Sequence, residues 1–419
     1  MLREINRLFK YINTDNDGRI IRNRIILISL VIIFALIFNR FVLTPYVSDD
    51  LKISINRSKL LFLNGMSPYD EEIQNYIKSI ARDEKWVVND DKFEFDVPLF
   101  QLILYLPFAV IPNYFWASAF FITINQICIF LTMQMLFHLL EWKPKVVERI
   151  CIYLLTAAVF FNLKNLLSGN TSIIQLTLII AVLFYEKDKK LVLSGILLGL
   201  SFIDPVSMLF SVIILFVVLI TKREYSAIFW SIITIGLLAI FITIFDRNWI
   251  MGWLKNLFLT PSRFPFITYI DGIQVKYGIS VNNLFVIIPI VLTSWLALEI
   301  IRTPKDTNGE KIWLLSISGL LNYYVMIQTD LYAAVLFLPS LVLLISVWWK
   351  KFNNIGKLVF YLLLTGVSAG ILLLQYFTIM ATSTRVTAII LIAIAVFLIV
   401  NLYWARLWIM RPYMISDSE

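Results

Sequence analysis

Asp49 and Asp50 stand side by side directly after an apolar run, in "VLTPYVSDDLKIS" at 42–54. An ionised carboxylate within hydrogen-bond reach of a hydroxyl can take its proton as a new bond forms, which is general-base chemistry. A second acid beside it raises its partner's pKa by like-charge repulsion and strengthens the base. The plainer reading is that both acids solvate the end of a helix. Further acids follow at Asp70, Glu71, Glu72, Asp83, Glu84, Asp90, Asp91, Glu94 and Asp96. A second polar stretch, 247–281, carries Arg247, Lys255, Arg263 and Lys276 against Asp271 alone. An acidic segment is thus matched by a basic one, and both are too long to be simple connectors.

Two more charges stand out by position. Lys164 falls about one turn inside the end of an apolar block, where a cation is costly and hence a functional suspect; a snorkelling lysine is the equal alternative. Asp204 precedes Pro205 between two apolar blocks, as a weak binding candidate or only a helix break. Asp96 and Glu94 flank another apolar block, where one of them could bind substrate hydroxyls or a divalent cation, or simply solvate a loop.

The elements that position these residues follow from composition. Of 419 residues, 59% are hydrophobic and 15% charged, and the mean hydropathy is +0.81. A soluble domain has about a quarter charged residues. Roughly 20 apolar residues in a helix cross a ~30 Å hydrocarbon core, where only helices or closed barrels satisfy their backbone. Strand-like alternation is absent, so the predicted fold class is all-α, a polytopic helical membrane protein. Its candidate spans are 24–43, 114–140, 150–167, 171–185, 190–204, 206–220, 226–246, 282–301, 312–328, 331–349, 357–378 and 385–404, about 12 in all. The first lacks a small-residue cleavage site and reads as a retained helix.

The block "VPLFQLILYLPFAVI" with Pro112 extends only ~22 Å as a helix and holds several prolines, so it reads as re-entrant or interfacial. The positive-inside rule supports that choice. With 98–112 not crossing, Arg3, Arg7, Arg19, Lys143, Lys145, Lys187, Lys189, Lys222, Arg223, Arg302, Lys350 and Arg406 all fall on the cytoplasmic side together with both termini. The acidic 44–113 and basic 247–281 segments are then extracytoplasmic. The chain divides into a cytoplasmic 1–23, a module 24–220, a second module 221–404 and a cytoplasmic tail 405–419.

Several chemistries are disfavoured. The net charge of +8 sorts by membrane side rather than forming a nucleic-acid face. The one histidine, His138, has no cysteine or carboxylate spaced as a co-ligand, Cys128 and Cys151 sit inside spans, and no metal or cofactor is expected. "NTDNDG" at 13–18 imitates an EF-hand start but would place Arg24 where a glutamate is needed. Asn170-Thr171-Ser172 is a formal glycosylation sequon in too short a loop. No Gly-rich phosphate loop or nucleophile elbow appears.

Four stretches taken in order resemble a known family. "SDDLKISINRSKLLFLNGMSPYD" (48–70) resembles the first outer loop of the GT-C glycosyltransferases, most closely the family-87 branch of mannosyltransferase-like proteins. There an acid after the first helix is followed by a Gly-x-x-Pro-Tyr turn, here Gly65 to Tyr69. "FEFDVPLFQLILYLPFAVIP" (93–112) resembles the aromatic-Pro-Pro-Leu segment, "NLLSGNTSIIQLTLIIAVLFY" (165–185) the Gly-Gln-x-Asn outer turn, and "LSGILLGLSFIDPVSMLF" (193–210) the small-residue helix ending in Lys-x-x-Pro. The chain departs from the pattern at Val97-Pro98, at Asn170 in place of glutamine, and at Asp204 beside Pro205. The resemblance covers roughly 25–220.

The resemblance implies an inverting membrane enzyme that moves a hexose, mannose in the resembling branch, from a polyprenyl-phosphate donor to a lipid-linked or exported acceptor. It implies Asp50 as the base with Asp49 as alternate. Arg263, Lys255, Arg247, Lys276 and Lys164 are candidates for the donor phosphate, which needs cationic surroundings as it leaves. Asp96, Tyr69, Asn170 and Asp204 are candidates for substrate binding. The expected setting is the plasma or inner membrane, with membrane lipids and no nucleic acid as partners. The competing readings are a lipid-linked-sugar flippase, a secondary transporter, or a catalytically silent partner protein; no internal repeat favours a transporter.

Overall fold

A chain whose apolar blocks are as long as a bilayer is thick must close its backbone hydrogen bonds within each block, and it does so with helices. The computed structural model describes residues 16–86, 93, 95, 97–158, 160–259, 282–325, 335–352, 355, 358 and 384–409. Among these residues all regular structure is helical.

In chain order the helices are α1 (Asn16–Phe38), α2 (Asp50–Asn64), α3 (Glu71–Asp83), α4 (Leu106–Ala109), α5 (Tyr114–Leu139), α6 (Val146–Ala158), α7 (Phe160–Ser168), α8 (Ser172–Lys187), α9 (Leu191–Leu200), α10 (Pro205–Thr221), α11 (Tyr225–Phe245), α12 (Trp249–Leu259), α13 (Asn282–Arg302) and α14 (Asn308–Val325). They are followed by α15 (Val335–Phe352) and α16 (Thr384–Ile409). Four described helices, Ile25–Tyr46, Tyr114–Leu139, Tyr225–Phe245 and Val335–Phe352, are long and apolar enough to cross a membrane. A fifth crossing results if Val146–Ala157 and Asn162–Ser168, bent by 55°, act as one. The expected twelve is therefore larger than the number the described helices meet by length. The candidate span 357–378 lies almost wholly outside the described residues.

The segment 98–112 forms no span. Pro98 opens a six-residue 3-10 helix, Leu99–Leu104, and Pro107 sits in the four-residue α4. Two prolines remove ladder donors in so short a stretch, so the backbone cannot settle into one long helix.

Burial sorts core from periphery. Half of the most apolar window of α5 is buried, against 6% for Ile25–Tyr46 and 11% for α11. α5 is thus a central helix, whereas α1 and α11 turn most of their surface outward. A large apolar core joins α5, α8, α10, α14 and α15, with Ile122, Met133, Ile179, Ile214, Trp313 and Phe337 buried. α9 approaches α11 through glycines: a Cβ on Gly195 would lie 2.2 Å from the Ala227 carbonyl oxygen, and one on Gly199 would lie 2.5 Å from the Thr234 Cβ. Small residues let helix backbones come this close where no hydrophobic effect drives them together.

Several polar groups inside this core pair across helices, which offsets the cost of burying them. Asn39 donates to Thr123 Oγ1 and Gln126 Oε1, both at 2.9 Å, and Gln126 donates back at 3.2 Å. Buried Glu186 binds Lys311 and, at 3.3 Å, Lys222, joining α8, α14 and the end of α10. Arg406 and Tyr403 both bind Glu299, at 2.6 and 2.8 Å, joining α13 to α16.

Candidate active site

The first span ends in a widened π-turn, Asn39–Leu43, then a 3-10 turn, Thr44–Tyr46, that carries the chain to α2. Asp49 is the N-cap position of α2 and Asp50 its first residue. A carboxylate in the first helical turn is favoured by the unpaired N–H groups and the positive end of the helix dipole. Asp49 forms a 2.8 Å ion pair with Lys52, and the Asp50 N–H donates to Ser48 Oγ at 3.2 Å.

Two contacts fix this helix start against the turn between α7 and α8, and two more tie the 98–112 segment to the same turn. The Ser48 N–H donates to the Leu167 carbonyl at 2.8 Å. Leu51, fully buried, sits on Gly169, whose φ of +74° is a left-handed conformation; a Cβ there would lie 2.5 Å from the Leu51 Cβ. Glycine is needed at this turn both for its backbone and for the close approach. The Tyr105 hydroxyl, from the 98–112 segment, donates to the Gly169 carbonyl at 2.8 Å, and Gln101 donates to Thr171 Oγ1 at 3.2 Å.

Charge converges on the same place. Arg57 lies on α2 seven residues after Asp50, two turns along and on the same face. Burial lowers its pKa to about 10, and the charge of Asp50 acts against that fall. The guanidinium donates to the Phe93 carbonyl at 2.6 Å and stacks on Phe95 at 4.9 Å. Tyr105 is pushed well above the usual phenol range, mainly by burial; Ser54 and Arg57 oppose the rise, while Asp204 and Asp50 add to it. The charges of Asp50, Asp204 and Arg57 thus all bear on one buried phenol. Asp204 is 9% exposed, and Gln175 donates to its backbone carbonyl at 3.1 Å.

The two polar segments are also joined. Ser67 Oγ donates to Asp246 Oδ2 at 2.6 Å, and Asp246 Oδ1 accepts from the Asn248 N–H at 2.9 Å at the start of α12. Asn256 donates to the Phe95 carbonyl at 2.9 Å, and Phe100 meets Trp249 edge-on at 5.5 Å.

The sequence-derived candidates divide as follows. Asp50 and Asp204 both act electrostatically on Tyr105, Asp49 precedes Asp50 at the start of α2, and Asn170 adjoins Gly169, its Oδ1 accepting from the Ser172 N–H at 2.8 Å. Lys164 is half-buried on α7. Tyr69 locks the Gly65–Tyr69 turn in place: its hydroxyl donates to the Val97 carbonyl at 2.6 Å, and its ring leaves room only for glycine at 252. Arg247 and Lys255 are exposed at and on α12. Arg263, Lys276 and Asp96 lie outside the described residues. Among the described residues no three His, Cys, Asp or Glu side chains could together hold a metal ion.

Sequence reasoning passed over Tyr105, Arg57, Gln175 and Arg40. The seven-residue spacing from Asp50 could have found Arg57. Arg40, an arginine inside an apolar block, carried its own signal.

Residues 97–346 match the model of glycosyltransferase family 87. The chain belongs to that family. It is a glycosyltransferase, and its apolar helices make it a membrane protein. No curated protein and no solved structure matches it. The family match extends well past residue 220, where the motif resemblance stops, and takes in Tyr105, the Gly169 turn and Asp204. It begins after Asp49, Asp50 and the Gly65–Tyr69 turn.

Proposed function

We propose that this family-87 glycosyltransferase moves a hexose from a polyprenyl-phosphate donor to a hydroxyl of a lipid-linked or exported acceptor on the extracytoplasmic side, with inversion. Asp50 takes the acceptor proton as the hydroxyl oxygen bonds to the anomeric carbon. The bond from that carbon to the phosphate oxygen breaks on the opposite face, and polyprenyl phosphate leaves with the electron pair. The observation that carries the reading is the placement of Asp50 in the first turn of α2, beside Tyr105, Arg57 and Asp204. The Tyr105 phenol, whose own proton goes to the Gly169 carbonyl, is kept neutral by burial near that charge. Asp49, tied to Lys52, has the supporting part. Lys164 and the cations Arg247, Lys255, Arg263 and Lys276 are the proposed polar-side contacts of the phosphate. Asn170, Asp204, Asp96 and Tyr69 line the proposed sugar and acceptor region.

The test is transfer from lipid-phosphate sugar in nanodiscs. Asp50→Asn should lower kcat by about 10²- to 10⁴-fold, the usual worth of a positioned base. Full turnover in both Asp50→Asn and Asp49→Asn would remove the general-base assignment. Movement of lipid-linked sugar across liposomes with no bond formed would favour a transporter.

A further inference from the structure

One charged residue that the reaction scheme leaves unused is Arg40. It lies in the π-turn Asn39–Leu43 at the end of the first span, where a widened turn re-aims side chains. Its neighbour Asn39 points inward to Thr123 and Gln126 on α5. Arg40 instead lies over the rings of Phe115 and Trp116, at 4.9 and 5.7 Å, in the first turn of α5, and near its own neighbour Phe41 at 5.3 Å. Phe41 and Phe115 are largely exposed on a helix surface this apolar, so the guanidinium sits in an aromatic cleft that opens toward lipid. Among the described residues no carboxylate pairs with it, and its Nε–H is buried with no acceptor.

An arginine in this setting lacks an anion. Buried charged donors are normally satisfied, and a guanidinium stacked on aromatic rings still presents its NH2 edge to a planar or tetrahedral oxyanion. The cleft is also next to the proposed chemistry. Phe115 adjoins Tyr114, with ring centroids 6.2 Å apart, and the Tyr114 hydroxyl donates to the Ser48 carbonyl at 3.4 Å. Lys52, the partner of Asp49, lies 5.1 Å from the Tyr114 ring. An amphiphile whose tail lies along the exposed face of α1 would bring its headgroup to Arg40 first and to Asp49 and Asp50 next.

We infer that Arg40 binds the phosphate of a polyprenyl-phosphate lipid at the membrane-side mouth of the active site, between the end of the first span and the head of α5. This rests on the reading of the donor given above. The interaction is a charge-assisted, forked hydrogen bond to a phosphate oxygen pair, reinforced by the loss of water in the aromatic cleft.

The test uses the full chain in phosphatidylcholine nanodiscs, titrated separately with a polyprenyl phosphate and with phosphatidylglycerol. Arg40→Gln should weaken polyprenyl-phosphate binding about tenfold to a hundredfold, the usual worth of hydrogen bonds to a charged group. Arg40→Lys, which keeps the charge and the stacking but not the fork, should recover part of that loss. In the transfer assay Arg40→Gln should raise KM for the donor by a similar factor and leave kcat within a few-fold. Unchanged polyprenyl-phosphate binding in Arg40→Gln would overturn the assignment while leaving the enzyme's reaction intact. Equal losses for polyprenyl phosphate and phosphatidylglycerol would make Arg40 an ordinary lipid anchor and overturn it as well. A wild-type chain that transfers no sugar from, and does not bind, the polyprenyl lipid would instead sink the donor class itself.

Discussion

Replacing Gly169 by alanine tests whether the turn between α7 and α8 sets the position of Asp50. The new Cβ would lie 2.5 Å from the Leu51 Cβ, 2.8 Å from its Cδ1 and 3.0 Å from its Cγ, and the backbone stays at φ +74°. The left-handed conformation costs alanine about 1 to 2 kcal/mol. Overpacking against a buried leucine adds about 1 to 3 kcal/mol. Leu51 is fully buried and cannot swing away, so the strain is relieved by moving the start of α2, which carries Asp50. A displacement of about 1 Å at a reacting group costs on the order of 10²-fold in rate. Gly169→Ala should therefore lower kcat for sugar transfer by that order and lower the thermal midpoint in detergent, with a smaller change in KM. The side-chain part of the clash can be tested in a double-mutant cycle. In a Leu51→Ala background, itself destabilised by about 2 to 5 kcal/mol, the Cδ1 and Cγ contacts are gone while the 2.5 Å Cβ contact stays, so Gly169→Ala should cost less than in the parent but more than the backbone part alone. Wild-type kcat in Gly169→Ala, or an equal cost in both backgrounds, would refute the reasoning.

Three further outcomes follow from features away from that turn. Glu186→Gln leaves Lys311 and Lys222 without their shared counter-charge in a buried site and should cost about 3 to 5 kcal/mol, read as unfolding in detergent. A cost below about 1 kcal/mol would show that the cluster relaxes or loses a proton. Gly195→Ala drives a methyl into the Ala227 carbonyl and should separate α9 from α11, lowering the thermal midpoint while Gly236→Ala, where a Cβ meets nothing, does not. Asp70 is held above the ordinary carboxyl value of 3.8 by partial burial, then Asp246 and Glu72. The folded chain thus keeps this proton more tightly than the unfolded one, so its contribution favours folding in acid and fades as pH rises through the raised value. Asp70→Asn should be slightly stabilising at neutral pH, by less than about 1 kcal/mol given its exposure, and neutral near pH 3. A stabilisation of the same size at both pH values would contradict that account.

Helix positions were legible wherever apolar length alone decides them. α5 at Tyr114–Leu139 and α11 at Tyr225–Phe245 fall within a residue of the spans read at 114–140 and 226–246. The prolines of 98–112 announced a broken segment for the same reason, since a missing N–H is a local fact. What stayed hidden was pairing across the chain. Leu51 against Gly169, Tyr105 against the same carbonyl and Ser67 against Asp246 join residues many tens of positions apart, and each partner looks ordinary in its own neighbourhood. Arg40 was obscured differently: a window average over an apolar block absorbs one charge. The 55° bend between Val146–Ala157 and Asn162–Ser168 has no glycine or proline in the sequence between them to signal it.

The amide pair between Asn39 and Gln126 sits at the C-terminal end of a first helix that otherwise shows little buried surface. A clasp at that end predicts a pivot. When the surrounding bilayer thins or thickens, the helix below the pivot can lean to match it without moving the segment above, since the lever arm on the chemical side is only about ten residues of tightly bonded turn. The chemistry proposed for Asp50 would then be insulated from lipid thickness, and loss of the clasp, as in Asn39→Leu, should make turnover vary more with acyl-chain length than in the parent enzyme.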